Sequence, residues 1–415
     1  MTAPDTHRVI DAVWRIESAK VIAGLAHMVR DVGLAEDLAH DALVAALEQW
    51  PVEGVPDNPG AWLMSVGKRR AIDMFRRNER LESKHEELGR ALQTQEQHGE
   101  PVVEDIEDDL LRLIFTTCHP VLSTEARVAL TLRLLGGLTT GEIARAYLVP
   151  EATVAQRIVR AKRALADADV PFEVPAGPEL AERLSSVLEV IYLIFNEGYS
   201  ATAGDDWMRP GLCEDALRLG RILAGLMPKE AEVHGLVALM ELQASRTHAR
   251  VGPDGEPVLL LDQDRGRWDR LLIGRGLAAL ARAEELDGGA GFYTLQAEIA
   301  ACHARAATAE RTDWAKIADL YEVLARVAPS PIVELNRAVA ISMASGPAEG
   351  LSLLDQIADD PSLKNYHLLP SVRGDLLAKL GRNAEARAEF ERAASLTRNA
   401  REREILQRRA ASLAD

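Results

Sequence analysis

The sequence predicts an all-α protein, and three observations support this prediction. Alanine, leucine, glutamate and arginine, which favour helices, are prominent along the 415 residues. Apolar residues recur at helical spacing, whereas the strict alternation of apolar and polar residues that is typical of strands is scarce. Hydrophobic residues make up 47% of the chain, so several domains can each bury a core of their own.

The composition also argues against several classes of protein. Cys118, Cys213 and Cys302 lie far apart and form no CxxC or Cys/His ligand spacing, which predicts a reducing cytoplasm and neither disulfides nor zinc. The chain shows no basic-then-apolar leader and no apolar run of membrane length, so we expect a cytoplasmic protein without a membrane partner. No phosphate loop or nucleophile–base pair is found, and we therefore expect neither a cofactor nor an enzymatic activity.

Charge is distributed unevenly along the chain. The net charge of −16 argues against a free nucleic-acid-binding protein. Residues 68–80, however, carry six basic and two acidic side chains, and residues 150–166 carry four and one. Residues 82–109, between them, carry two basic and ten acidic side chains. Two basic helices on either side of an acidic linker are predicted, although solvated faces of an acidic protein are an alternative.

An amphipathic helix is predicted from Ala35 onwards. The apolar residues expected to face a core are Ala35, Leu38, Ala39, Ala42, Leu43, Ala46, Leu47 and Trp50. The polar residues expected in solvent are Glu36, Asp37, His40, Asp41 and Glu48. A loop with prolines at positions 51, 56 and 59 is expected to follow this helix.

A basic helix is predicted after this loop. It contains Trp62 and Leu63 and continues through the sequence RRAIDMFRR of residues 69–77. Asp73 is expected either to pair with a nearby arginine or to serve the function of the helix. Taken alone, each of these two helices resembles a common surface helix.

A helix-turn-helix is predicted between residues 126 and 165. A short apolar helix over residues 126–135 ends at two glycines, and Thr139 with Glu142 forms a capping-box pattern that opens a second short helix. Pro150 suits the first turn of a third helix. The apolar face predicted for that helix consists of Val154, Ile158, Ala161 and Leu165.

The opposite face of the third helix is basic and polar. Glutamine and arginine side chains make paired hydrogen bonds to adenine and guanine edges in the major groove, and lysines and arginines neutralise phosphates. The candidate DNA-binding residues on this helix are Thr153, Gln156, Arg157, Arg160, Lys162 and Arg163. The alternative is an ordinary helical hairpin with a basic surface.

These motifs resemble those of a known family. Residues 137–144 (GLTTGEIA), residues 149–154 (VPEATV) and the basic residues that follow resemble region 4 of sigma factors, which reads the promoter −35 element. Leu148 departs from the family, which usually has a glycine at this turn. The acidic helix from Ala35 and the RRAIDMFRR run resemble region 2 of the same family, in the order that the family has.

The resemblance implies an extracytoplasmic-function sigma factor that binds core RNA polymerase, through the β′ clamp and the β flap, and promoter DNA. It implies that Glu36, Asp37 and Asp41 contact the polymerase. It also implies contacts to the melted −10 element from a basic set, which consists of Lys68, Arg69, Arg70, Arg76 and Arg77. Cations that follow a single-strand backbone suit this role.

The expected domain order follows from these assignments. Residues 1–80 correspond to region 2, residues 81–110 to an acidic linker, and residues 111–167 to region 4. A proline-rich linker over residues 168–180 precedes a helical extension over residues 181–290. The segment around Asp262, Asp264 and Arg265 is expected to form an internal salt-bridge network rather than a metal or active site.

Residues 291–415 are predicted to form tetratricopeptide-like helical repeats. Trp314, Ile317, Ala318 and Tyr321 match the opening of that repeat, and residues 377–393 match the join between its two helices. Ala318 and Gly381 are expected to let paired helices approach closely. The groove of such a stack is expected to bind a peptide or protein, or to contact the sigma domains of the same chain.

Two other functions are compatible with part of the sequence. A helix-turn-helix regulator with a repeat-type sensor domain would bind duplex DNA without polymerase, but it has no use for the motifs of residues 35–77. A tetratricopeptide adaptor has no use for residues 139–165. The resemblance to sigma factors accounts for both sets of motifs.

Overall fold

The computed structural model describes residues 3–79, 103–201, 207–252, 256–287 and 290–413. These residues form α-helices, short 3₁₀ turns and connecting segments, with no β-strand among them, which confirms the predicted all-α fold. The α-helices of the described chain are α1 (Ala3–Val29), α2 (Val32–Glu53), α3 (Pro59–Glu79), α4 (Val103–Thr117), α5 (Thr124–Leu134), α6 (Thr140–Tyr147), α7 (Glu151–Asp167), α8 (Pro178–Tyr199), α9 (Pro210–Leu226), α10 (Ala231–Ala244), α11 (Arg270–Asp287), α12 (Phe292–Arg305), α13 (Trp314–Val327), α14 (Pro331–Ala344), α15 (Pro347–Ile357), α16 (Leu368–Lys379), α17 (Asn383–Leu396) and α18 (Ala400–Ala411).

The chain divides into two compact units, residues 1–193 and 194–415, and the division falls within α8. In the first unit α1 packs against α2, α3 and α4, and α5, α6 and α7 pack against one another. Helices α1 and α2 also contact α5 and α7, respectively. Of the acidic linker predicted over residues 81–110, positions 81–102 lie outside the described residues.

Helix α2 follows most of the predicted pattern. Six of the eight predicted core residues are buried, while Leu43 is half-buried and Leu47 is 39% exposed. Glu36, which was predicted to face solvent, is only 3% exposed. The reason is tertiary, because α7 covers this part of α2. Pro51 also lies inside α2, which extends to Glu53, rather than in a loop.

In the second unit α10 packs against α9, α11 and α12, and from α12 to α18 each helix packs against the next one in the chain. Gly381 does not mediate the close approach that was predicted, because nothing lies near its missing side chain. Its φ of +74° instead makes the turn between α16 and α17. The close approach occurs at Gly374, where an added Cβ would lie 2.9 Å from Phe390 Cε1.

The segment around Asp264 does not form the predicted salt-bridge network. Asp264 accepts from the Gly266 amide and Asp269 accepts from the amide of Leu271, so both carboxylates cap local turns. Arg265 donates instead to the Ala306 carbonyl and to other uncharged acceptors. The described residues contain no group of acidic, histidine or cysteine side chains arranged to hold a metal ion, and none of their helices is long and apolar enough to span a membrane.

Candidate nucleic-acid interface

The capping box that opens α6 is present. The Thr139 hydroxyl accepts from the Glu142 amide at 3.2 Å, and Glu142 accepts from the Thr139 amide at 2.7 Å. Burial alone would raise the pKa of Glu142, but these hydrogen bonds from Thr139 hold it below its ordinary value. A charged Glu142 therefore fixes the first turn of α6 and the angle at which the chain leaves α5.

The turn between α6 and α7 keeps its form although it lacks the usual glycine. Leu148 adopts a left-handed conformation with φ 50° and ψ 43°. The amide of Val149 donates to the Ala144 carbonyl at 3.1 Å, which closes the end of α6. Leucine is unfavourable in this region because its Cβ crowds the following carbonyl, so the turn is strained. The departure at Leu148 therefore affects stability more than geometry.

Helix α7 presents the two faces that were predicted for it. Val154, Ile158, Ala161 and Leu165 are all buried. Most of the predicted DNA-binding side chains of α7 lie on the exposed face; these are Thr153, Gln156, Arg160 and Arg163. Arg157 is half-buried. Lys162 pairs with Glu36 of α2, and Arg163 forms an exposed ion pair with Asp167 of its own helix at 3.4 Å.

Helix α3 carries the basic residues predicted for the −10 element. Arg69 and Arg76 are exposed, and Lys68 is half-buried. Arg70 pairs with Asp41 of α2 at 3.0 Å. Arg77 lies near the end of the same helix, and its side chain is outside the described part of the chain.

A groove between α2 and α3 brings together candidate polymerase and DNA contacts. Asp37 is exposed on its rim, and Asp41 keeps 56% of its side chain exposed although it pairs with Arg70. Asp73 lines the groove and forms no ion pair among the described residues. Among the described residues Arg70 therefore pairs with Asp41, and the two roles predicted for Asp73 stay open.

The sequence-predicted site residues Glu36 and Lys162 meet in a cluster of charges around a buried carboxylate. Arg133 of α5 donates from Nε to Glu36 Oε1 at 2.6 Å, and Lys162 of α7 pairs with the other oxygen. Arg133 also contacts His40 Nε2 at 2.9 Å. We call Glu36, His40, Arg133 and Lys162 the charge junction. It joins the basic helix of the helix-turn-helix to the acidic helix of the N-terminal domain.

Electrostatics within the charge junction favour a charged Glu36 and a neutral His40. Burial alone would raise the pKa of Glu36, but the Lys162 ammonium and the Arg133 guanidinium outweigh it and lower that pKa. Burial, and then the Arg133 guanidinium, lower the pKa of His40. His40 therefore accepts from Arg133 as a neutral ring, whereas Glu36 stays ionised. A second contact, from Arg15 to Glu142 at 3.2 Å, joins the same two domains at their surface.

Sequence reasoning missed Arg133 and Arg15. Arg133 is the single charged residue in the largely apolar run from Val128 to Leu135, and a cation in such a run is buried only with a partner. That signal could have marked Arg133 as part of an ion pair. Nothing local in the sequence marks Arg15, since its partner lies in a distant helix.

Comparisons with known proteins agree with this arrangement. Residues 17–81 match the family model of sigma-70 region 2, and residues 112–165 match that of sigma-70 region 4. Residues 183–284 match a family of unknown function, DUF6596. An uncharacterized protein of Rhizobium meliloti (strain 1021) is 43% identical over 386 residues, which cover 92% of this chain and 90% of that protein.

Proposed function

Because this chain belongs to the sigma-70 family, we propose that it is a sigma factor of the extracytoplasmic-function type. In this role it binds core RNA polymerase and directs initiation at a particular set of promoters. Members of this family are transcription factors, and the polymerase supplies the chemistry of RNA synthesis. The observation that carries the proposal is that one compact unit contains two exposed basic helix faces, one on α3 and one on α7.

Helix α7 is proposed to read the −35 element. Gln156 and Arg160 point into solvent opposite a fully buried face, which suits a recognition helix that enters the major groove. Both side chains can make paired hydrogen bonds to base edges, whereas Arg163 suits a phosphate contact. Specificity is therefore assigned to the middle of α7.

Helix α3 is proposed to hold the melted −10 strand. Arg69 and Arg76 are exposed and can neutralise backbone phosphates of an unpaired strand. The polymerase contact is assigned to Asp37 and Asp41, which are exposed on α2. Glu36 can contribute only if the charge junction opens, because its carboxylate is enclosed by Arg133 and Lys162.

Opening of the charge junction is therefore proposed as part of promoter binding. Lys162 cannot contact a DNA phosphate while it neutralises Glu36. Breaking this ion pair would free the Lys162 ammonium of α7 and the Glu36 carboxylate of α2 in one step, at the cost of their mutual attraction. Core polymerase, which would bind both domains, can supply that free energy by differential affinity for the open state.

The second unit is proposed to act as a regulatory or protein-interaction domain of tetratricopeptide-like type. The support is the sequential packing of α12 to α18, each helix against the next, which is the arrangement of helical repeat proteins. A peptide or protein partner, or the sigma domains of the same chain, would occupy its surface.

The proposed function is tested by transcription with purified components. Bacterial core RNA polymerase with the full-length chain should select promoter-like sequences from a random duplex pool and start transcripts from them. A transcriptional regulator that is not a sigma subunit would instead select duplex DNA without polymerase and start no transcript. Arg160→Ala should alter the selected −35 sequence, and Val159→Ala, an exposed neighbour on α7, serves as its control.

A further inference from the structure

An alternating array of arginines and aromatic rings lies in the second unit, and the proposed function does not use it. Arg250 Cζ lies 3.6 Å from the ring centroid of Tyr199 and 5.5 Å from that of Trp207. Arg246 Cζ lies 5.7 Å from the same Tyr199 ring and 5.8 Å from Trp268, while Arg265 lies 4.9 Å from Trp268. The arginine–aromatic array, in spatial order, consists of Trp207, Arg250, Tyr199, Arg246, Trp268 and Arg265.

The array holds three cations without an anion. Arg250 and Arg265 are each only 6% exposed, yet neither they nor Arg246 form an ion pair with any carboxylate of the described residues. The exposed Glu310 influences Arg265 electrostatically without contacting it. Burying charge without a counter-charge is costly, and the faces of the rings compensate only part of that cost.

Hydrogen-bond donors in the array also outnumber its acceptors. Arg265 donates to the Ala306 carbonyl and to Thr312, and Arg250 donates to the Tyr199 carbonyl. The side chain of Arg246 makes neither a hydrogen bond nor an ion pair within the described chain. The aromatic rings beside it are only weak acceptors for its guanidinium N–H groups. The indole nitrogen of Trp268, which is 3% exposed, is likewise unpartnered.

The positive field of the array reaches its neighbours. Burial, followed by the charges of Arg246 and Arg265, lowers the pKa of His303 to about 3. Burial lowers the pKa of Arg250, and the like charge of Arg246 lowers it further. Arg246 contributes to both of these pKa shifts. This residue is only half-buried, so a solute can reach its guanidinium group.

We propose that the arginine–aromatic array is a binding site for a multiply charged oxyanion of the phosphate type, with Arg246 as its main contact. Such an anion supplies the missing counter-charge and the missing acceptors together. The guanidinium fork of arginine matches two oxygens of such a group at once. The site is formed entirely by residues of the second unit, and it does not depend on a role in transcription.

Calorimetric titration of the full-length chain with inorganic phosphate tests this site. At constant ionic strength, set with chloride, phosphate should bind with one-site stoichiometry. Arg246→Met keeps the length and apolar stem of the side chain but removes the charge, and it should weaken binding about tenfold or more. Arg275→Met, at an exposed position of α11, is the matched control and should bind phosphate as the wild-type chain does.

Three results would overturn the proposal. Phosphate that binds no better than chloride removes the site, and acetate that binds as well as phosphate removes the preference for a multiply charged anion. Equal binding to Arg246→Met and to the wild-type chain places the phosphate elsewhere. Far-ultraviolet circular dichroism shows whether each variant is folded, and Arg246→Lys, which keeps the charge, should recover part of the affinity if Arg246→Met has lost it through charge.

Discussion

Lys162 of α7 forms an ion pair with the buried carboxylate of Glu36 of α2, although α7 belongs to the segment that matches sigma-70 region 4 and α2 to the segment that matches region 2. Their side chains are 21% and 4% exposed. Each of the two residues was predicted to contact a different external partner. Under the proposed function, the pair would therefore link the availability of a proposed DNA contact to that of a proposed polymerase contact.

Removing the anion of the charge junction should loosen the contact between the two domains. Glu36→Gln leaves Arg133 and Lys162 facing each other without a counter-charge. Breaking a fully buried pair in this way costs about 3–5 kcal/mol, and the cost here should be smaller because both cations are 21% exposed. Amide hydrogen exchange in α5 and α7 should become faster. Glu48→Gln, at an exposed position of the same helix, should leave exchange unchanged. Equal protection in both variants would show that the junction does not hold the domains together.

Acidification should also loosen the contact between the two domains at the charge junction. The direction of this change in stability follows from the pKa of His40. Its pKa is lowered in the folded protein from the ordinary value of 6.5, so the unfolded chain takes up the proton first as the pH falls. Stability is therefore lost as the pH drops below about 6.5. The lowered pKa of Glu36 adds a second loss at more acidic pH, below its ordinary value of 4.5.

The contribution of His40 can be isolated by substitution. Between pH 7.5 and 5.5, approximately the range in which an ordinary histidine titrates, hydrogen exchange in α5 should accelerate less in His40→Asn than in the wild-type chain. His119, whose pKa burial also lowers, keeps part of the response in both proteins. His7→Asn, at an exposed position of α1, is the control. An unchanged pH response in His40→Asn would exclude this residue as its source.

Local patterns in the sequence predict the helices well, and tertiary contacts explain where they fail. The apolar face of α7 and the capping box of Thr139 depend on spacing within one helix, and both are confirmed. Glu36 was placed in solvent because helical periodicity takes no account of what covers a polar face. The missing information was the position of Arg133, which comes from a helix distant in sequence.

The second unit shows the same limit. Arg265 and Asp264 are close in sequence and opposite in charge, which favours a local salt bridge as an interpretation. In the folded chain Arg265 instead points toward the end of α12 and donates to backbone carbonyls there. The arginine–aromatic array was not predicted, since it joins residues from four separate segments whose approach no periodicity encodes.

Base reading and phosphate contact should be separable on α7. Arg160→Ala and Gln156→Ala should each cost about 1–3 kcal/mol on particular −35 sequences and relax specificity at one position. Lys162→Ala should change affinity for all sequences alike, since a phosphate contact carries no sequence information. A transcribed promoter library measures all three. Identical library profiles for the three variants would remove the base-reading role from α7.

Promoter melting should depend on Arg69 more than on Arg70. Arg69 is exposed, whereas Arg70 already pairs with Asp41 at 3.0 Å and must give up that pair to bind DNA. Arg69→Ala should reduce permanganate reactivity of −10 thymines while binding to core polymerase persists. Arg70→Ala should have the smaller effect. Thymine reactivity at the wild-type level in both variants would exclude α3 from holding the melted strand.

The turn at Leu148 should be improved by the glycine that it lacks. A leucine in the left-handed region costs about 1–2 kcal/mol, and 54% exposure leaves little packing to lose. Glycine removes that strain but costs about 0.5–1 kcal/mol in chain entropy, so Leu148→Gly should raise the free energy of unfolding by up to about 1.5 kcal/mol. Ala168→Gly, at a φ of −88° just after α7, should only destabilise. Both variants are measured by denaturant unfolding of the full-length chain, followed through hydrogen exchange in α6. A loss of stability in Leu148→Gly would show that the leucine side chain contributes more through packing than it costs in strain.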